Sequence, residues 1–203
     1  MDDLIVLVAD QDANLGFESL LRRAGNLGFR SLSAKVVRHD ARDHGVFLRA
    51  HDFLRPQLRN YQHALAVCDR EGCGREALAR EALEQQIEAR LRANGWEDRA
   101  SAIVLDPELE AWVWGDWDAL VELAGWAGNA ASLREWLVER QFVAHGQLKP
   151  GRPKEALARV LRQSSKRASS GLFAAMAAQA DIANCQDPAF GKLLTVLQAW
   201  FPV

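Results

Sequence analysis

Seven carboxylates stand directly behind short apolar runs, and their spacing is the strongest chemical signal in the chain. Asp10 and Asp12 follow Leu4 to Ala9 (LIVLVA). Asp69 and Glu71 follow Ala64 to Cys68 (ALAVC). Asp106, Glu108 and Glu110 follow Ala102 to Leu105 (AIVL). Mg²⁺ and Mn²⁺ are hard cations that take oxygen ligands and keep several waters, so a few converging carboxylates suffice to hold one. The i, i+2 spacing of Asp69 and Glu71 lets both reach one ion from an extended turn. Such a site can polarise a phosphodiester and orient a water or hydroxyl for in-line attack. Gly72 and Gly74 follow at once and would let backbone approach a ligand closely. The competing role for any single acid is capping of the next helix, and Asp10, Asp12 and Asp106 all stand where a cap is expected.

Other side chains suited to chemistry are more scattered. His39, His44, His51 and His63 lie close in sequence among Asp40, Asp43 and Asp52. Their spacing matches no standard zinc pattern. His39 with Asp43 is the pair best placed to support a site, because both follow a probable strand end. From Lys149 to Ser170 the chain is basic, with Lys149, Arg152, Lys154, Arg159, Arg162, Lys166 and Arg167 against Glu155 alone. These cations could bind phosphates, each neutralised phosphate adding salt-dependent affinity; a solvated helix face is the alternative. No aromatic residues interleave there, so base stacking is not indicated. Cys68, Cys73 and Cys185 lack metal-ligand spacing. No phosphate-binding Gly-x-x-x-x-Gly-Lys loop and no Gly-x-Ser-x-Gly elbow is present.

The elements that must position these residues alternate. The three apolar runs read as strands buried on both faces, and Leu32 to Val37 as a fourth. Helical spacing follows in Phe17 to Ala24, in part of Ala41 to Tyr61, which Pro56 interrupts, and in Gly74 to Asn94. Strand–helix alternation predicts right-handed crossovers and a mainly parallel sheet. Its strand ends would gather the acids on the edge where α/β sheets place their sites. From Glu108 onward only helices are expected. Five of the seven tryptophans lie between Trp112 and Trp136, read as a packing layer, with Trp114 or Trp117 as an interface anchor if exposed. Residues 171–201 read as two closing helices separated by Gln186-Asp187-Pro188. The expected organisation is an α/β core over residues 1–116 and a helical C-terminal region over 117–203 packed on it as one structural unit.

With 203 residues, 49% hydrophobic and 26% charged, the chain can bury a full core and is too apolar for disorder. Its net charge of −2 means that any nucleic-acid contact needs a local basic patch. Three cysteines, no secretory apolar segment and no run long enough to span a bilayer predict a cytoplasmic protein without membrane contact.

Strand-then-acid followed by strand-then-Asp-x-acid resembles the Toprim metal-binding domain of nucleases, primases and topoisomerases. Val104-Leu105-Asp106-Pro107-Glu108-Leu109-Glu110-Ala111-Trp112, followed by Asp116, is similar to the Pro-x-x-Glu-Ala-Trp signature of a Toprim-like bacterial family found with anti-phage defence genes. Tyr61 to Glu76 and Ser169 to Phe201 also resemble a component of methylation-associated defence systems. The resemblance covers most of the chain. It implies a Toprim- or Rossmann-like fold, bound Mg²⁺ or Mn²⁺, and phosphodiester cleavage or phosphoryl transfer on nucleic acid. It places the Asp-x-Asp motif on Asp69 and Glu71, the first-strand acid on Asp10 or Asp12, and the Glu-Ala-Trp acid on Glu110. Asp69, Glu71 and Glu110 would then be catalytic, and Asp10, Asp12, Asp69, Glu71 and Glu110 metal-holding. Lys149, Arg152, Lys154, Arg162, Lys166 and Arg167 would hold nucleic acid, with His39 and Asp43 in support. This chain departs from the pattern in having Asp on the first strand and Glu as the second acid of the pair. Other defence-system proteins are the implied partners, and self-association is compatible. Two other readings stand beside the enzyme: a non-catalytic interaction or sensor subunit of a defence complex, and a receiver-like switch suggested by Val6 to Leu21. A receiver also needs a hydroxyl residue after its fourth strand and a lysine after its fifth, and Leu105-Asp106 offers neither.

Overall fold

A computed structural model describes residues 1–179 and 185–203. Four strands, β1 (Asp2–Val8), β2 (Ala34–Arg38), β3 (Tyr61–Asp69) and β4 (Ala100–Leu105), form one sheet in the order β2-β1-β3-β4. Every pairing is parallel. Helices α1 (Gln11–Leu21), α2 (Arg42–Leu54) and α3 (Arg80–Leu91) make the crossovers. The fold is α/β with a parallel sheet flanked by helices, as a Rossmann- or Toprim-like arrangement requires.

Alternation along the strands explains the two faces. Leu4, Val6, Val8, Leu65, Val67, Ile103 and Leu105 point to one side. Ile5, Leu7, Ala64, Ala66, Cys68, Ala102 and Val104 point to the other. The second face is lined by small residues, which lets α2 and α3 approach with Phe47, Leu83 and Ile87. The first face is covered by α1 and by the C-terminal helices α4 (Glu110–Val113), α5 (Trp117–Ala124), α6 (Ala130–Glu139), α7 (Pro153–Gln163), α8 (Ser170–Gln179) and α9 (Pro188–Trp200). The C-terminal helices therefore share one hydrophobic core with the sheet. The expected closing helices appear as α8 and α9; residues 180–184 between them lie outside the described residues.

Both edges of the sheet are treated differently. At β4, Glu84 and Glu88 of α3 accept the outward amides of Val104 and Ala102, each at 3.0 Å. Lys192 of α9 donates to both glutamates, at 3.1 and 2.7 Å, and Arg80 donates to Glu84 at 2.7 Å. Four residues along a helix and two along a strand cover nearly the same distance, so the i, i+4 glutamates match alternate strand amides. The β2 edge is exposed, with Lys35 and Arg38 on it.

Helix α3 differs from its sequence-based bounds. The helix expected from Gly74 starts at Arg80, because residues 70–79 first form a loop. Gly72 and Gly74 there have φ of 92° and 82°, and both donate backbone N–H to Glu76. The tryptophans pack as expected: Trp112 lies against Phe17 and Phe190, and Trp114 is buried with its indole N–H on the Pro153 carbonyl. Trp117 donates to the Leu148 carbonyl and carries Arg134 over its ring.

Candidate metal centre

All four strands run the same way, so their C-terminal ends share one edge. The connection from β1 leaves to the α1 face and that from β3 to the α3 face, which opens a crevice between the two strand ends. Asp10, Asp12, Asp43, Asp69, Glu110 and Lys154 line it, around a space of about 20 Å³. That is room for about one water-sized guest.

Asp69 is the last residue of β3 and sits opposite Leu105 of β4. Its Oδ1 accepts the Leu109 amide at 3.0 Å, which folds the segment after β4 over the end of β3. That fold brings Glu108 and Glu110 to it: one carboxylate oxygen from each of Asp69, Glu108 and Glu110 lies within 4.8 Å of the others. Glu108 and Glu110 are buried. Asp43, in the first turn of α2, accepts the Asp69 amide at 2.8 Å. Lys154, in the first turn of α7, places its ammonium 3.6 Å from Glu108 and 3.5 Å from Glu110. Its backbone amide donates to Glu108 at 3.0 Å, so Glu108 also caps α7 from outside the helix.

The charges are out of balance. Burial, then the neighbouring Asp43 and Glu110, push the Asp69 carboxyl well above the ordinary carboxylate range. Burial also raises Asp43 and Glu110. Partial burial works against the Lys154 ammonium, but Glu110, Glu108 and Asp69 outweigh it and raise its pKa. An all-oxygen set of this kind fits a hard divalent cation, which would relieve the same repulsion that lifts the acids.

The structure brings Asp69, Glu110, Asp10 and Asp43 to one crevice and adds Glu108 and Lys154. Asp10 lines it while its Oδ1 accepts the Asp12 and Ala13 amides at 3.0 Å as the N-cap of α1. Asp12 also borders the crevice, but its carboxylate accepts the Ser170 hydroxyl at 2.5 Å and so ties α1 to α8. Glu71 is not brought there: it is exposed, and its backbone amide is held by the Pro107 carbonyl at 3.0 Å. The i, i+2 step after β3 puts its two acids apart because the chain turns away to continue the ladder with β4. The i, i+2 pair Glu108 and Glu110 after β4 does converge.

Gly72 and Gly74 serve the turn through their positive φ, and a Cβ on Gly74 would also lie 2.7 Å from the His44 ring. His39 supports the β2–α2 turn by accepting the Ala41 amide at 3.0 Å. Its ring faces Phe53, and burial lowers its pKa. Cys68 and Cys73 are buried, and burial raises both thiols, so neither is an activated thiolate.

The basic segment is largely engaged. Lys149 pairs with Asp187 at 2.5 Å and Arg152 with Glu155 at 2.7 Å. Lys154 is in the acidic crevice, and Lys166 donates to the Leu123 carbonyl at 2.8 Å. Arg162 and Arg167 are exposed. Glu108, Asp43 and Lys154 are the contributors that sequence reasoning placed elsewhere or left in support. For Glu108 a signal was available, in the Glu-x-Glu step behind the last strand; for Lys154 none was, since its partners lie 44 and 46 positions away.

Among the described residues no helix is long and apolar enough to cross a membrane. No protein-family model, curated protein or solved structure matches the chain.

Proposed function

We propose that the chain is a hydrolase that cleaves phosphodiester bonds in nucleic acid with the help of Mg²⁺ or Mn²⁺. The observation that carries this reading is the convergence of Asp69, Glu108 and Glu110 oxygens within 4.8 Å, at the crevice between diverging strand connections and beside one half-exposed lysine. Asp69 and Glu110 would hold the ion, with Glu108 and Asp10 on its flanks. When bound, the ion would neutralise phosphate charge and lower the pKa of a water. Asp43 orients Asp69 through the backbone. Glu108 fixes the first turn of α7, from which Lys154 extends. The Lys154 side chain is 64% exposed and free to turn from the carboxylates to a phosphate oxygen. The resemblance to defence-associated Toprim-like proteins supports a role in anti-phage defence, with other defence proteins as partners.

One feature favours a second reading. Lys154 already occupies the mouth of the crevice as a tethered cation, which suits a non-catalytic subunit whose acidic site is neutralised from within. Cleavage assays separate the two. Purified protein with millimolar Mn²⁺ is expected to cut labelled DNA or RNA, and Asp69→Asn and Glu110→Gln are expected to abolish cutting. Absence of both cutting and Mn²⁺ binding would overturn the hydrolase and leave the interaction subunit.

A further inference from the structure

In the expected nucleic-acid surface, residues 149–167, Lys149, Arg152 and Lys154 are ion-paired and Lys166 is held by the Leu123 carbonyl. The cleft of about 660 Å³ lined by Arg70, Arg80 and Lys149 is likewise compensated: those three pair with Asp106, with Glu81 and Glu84, and with Asp187. A second groove, of about 600 Å³, differs. It lies where β1 and β2 end, and Arg38, Arg42, Gln11 and Asn14 line it. Arg38 and Arg42 are exposed, and among the described residues neither forms an ion pair. Arg42 has a φ of 51°, a left-handed conformation that side chains seldom adopt.

We propose that this β1–β2 groove holds the sugar–phosphate backbone of the strand to be cut, with Arg38 and Arg42 as its phosphate-binding cations. The guanidinium fork matches two phosphate oxygens at once. Gln11 and Asn14 add neutral donors. Ala9 and Asp10 line both this groove and the acidic crevice, so a strand held here lies next to the carboxylates. Asp10 and Asp40 also line the groove, so its formal charge is balanced, but neither carboxylate forms an ion pair with Arg38 or Arg42 among the described residues, and both guanidinium groups stay exposed to a phosphate. The inference rests on the hydrolase reading for the identity of the strand, while the cations stand on their own geometry.

The test is anisotropy titration of fluorescein-labelled single strands, DNA and RNA of one sequence, and of the DNA duplex, in EDTA so that the metal centre does not contribute. The double variant Arg38→Glu/Arg42→Glu is compared with Arg55→Glu/Arg59→Glu, which follow α2 at the end of the sheet where β3 begins. The first is expected to weaken binding by about tenfold or more and to lower the salt slope by about two; the second should stay within about twofold. Melting curves check folding, and Arg38→Gln/Arg42→Gln replaces the charge reversal if that variant does not fold. Wild-type protein that binds no strand, or binding indifferent to Arg38 and Arg42, overturns the groove. Mn²⁺ binding is measured separately on the same proteins. Arginine-dependent strand binding without Mn²⁺ binding keeps the groove and removes the hydrolase. Mn²⁺-dependent cutting with unchanged affinity in the double variant does the reverse.

Discussion

Replacing Asp69 with asparagine is expected to make the metal-free protein more stable, not less. Asp69, Glu108 and Glu110 present oxygens within 4.8 Å of one another. Two unit charges at that distance repel by about 3.5 kcal/mol at an effective dielectric constant of about 20. Lys154 offsets part of this, but its contacts go to Glu108 and Glu110. Asparagine keeps an Oδ1 for the Leu109 amide, so the 3.0 Å bond that folds the segment after β4 survives. Because the Asp69 carboxyl is raised well above the ordinary range, the gain at neutral pH should be a fraction of the full repulsion, about 1–3 kcal/mol. For a chain of this size that is a rise in Tm of roughly 3–10 °C.

The sign of the pH dependence follows from Asp69 being raised in the folded state. The folded protein holds that proton longer than the unfolded chain does. The associated stability is complete below the ordinary value of about 3.9 and is lost as pH rises through the raised folded value. The advantage of Asp69→Asn should therefore grow from acid toward neutral pH. Divalent cation should act oppositely on the two proteins. At about one hundred times its dissociation constant, Mn²⁺ stabilises a binding protein by about 2.7 kcal/mol, and Asp69→Asn should forfeit most of this. Urea unfolding at several pH values, with and without Mn²⁺, reads both effects. Lower stability of Asp69→Asn at neutral pH without metal, or equal stabilisation of both proteins by Mn²⁺, would refute the electrostatic account.

Lys154→Met should cost about 1 kcal/mol without metal, a small sum because the side chain is mostly in solvent, and should tighten Mn²⁺ binding in calorimetry by removing a competing cation; weaker Mn²⁺ binding would count against that role. Lys192→Met removes a cation shared by Glu84 and Glu88; with Arg80 still on Glu84, a loss of about 1–3 kcal/mol is expected in urea unfolding, and an unchanged midpoint would show the edge network to be idle. Gly45→Ala places a Cβ 2.2 Å from the His39 ring and 2.8 Å from the Ala41 Cβ, so it should cost about 1–3 kcal/mol and shift the His39 ring signals in NMR; unchanged His39 resonances would contradict the packing.

The strands were readable because burial on both faces demands continuous apolar runs, and Leu4 to Val8 or Ala102 to Leu105 have no other reading. Their common edge followed from parallel pairing alone. Which acids meet there was not readable. Asp69 and Glu71 look equivalent in sequence, yet Glu71 is turned outward by the backbone bond from its amide to Pro107, a contact across 36 positions. Lys154 looked like one of seven cations in a basic stretch. Only the docking of α7, with its first turn capped by Glu108, separates it from Arg152 or Arg162. The helix start at Arg80 was obscured for a local reason: Glu76 binds the Gly72 and Gly74 amides and holds open a loop whose later residues, Arg75 to Ala79, have ordinary helix propensity.

Among the described residues, two clusters of acids are buried or half-buried, and the contrast between them separates scaffolding from chemistry. At the β4 edge every carboxylate is answered. Glu84 accepts from the Val104 amide, Arg80 and Lys192, and Glu88 from the Ala102 amide, the Ser101 hydroxyl and Lys192. Two cations and three neutral donors serve two charges, and nothing is left to attract a ligand; burial works against Glu88, yet the Ala102 amide and Lys192 hold its carboxyl below the ordinary range. At the strand ends, Asp43, Asp69 and Glu110 are raised instead. The ammonium beside them is Lys154, whose contacts go to Glu108 and Glu110. Buried carboxylates that serve only structure acquire donors, because an unanswered buried charge costs several kcal/mol. A set left short of positive charge retains that cost in the empty protein and would recover it if a cation entered. The deficit at Asp69, Glu108 and Glu110, rather than the number of acids, is why this edge and not the β4 edge is the place to look for bound metal.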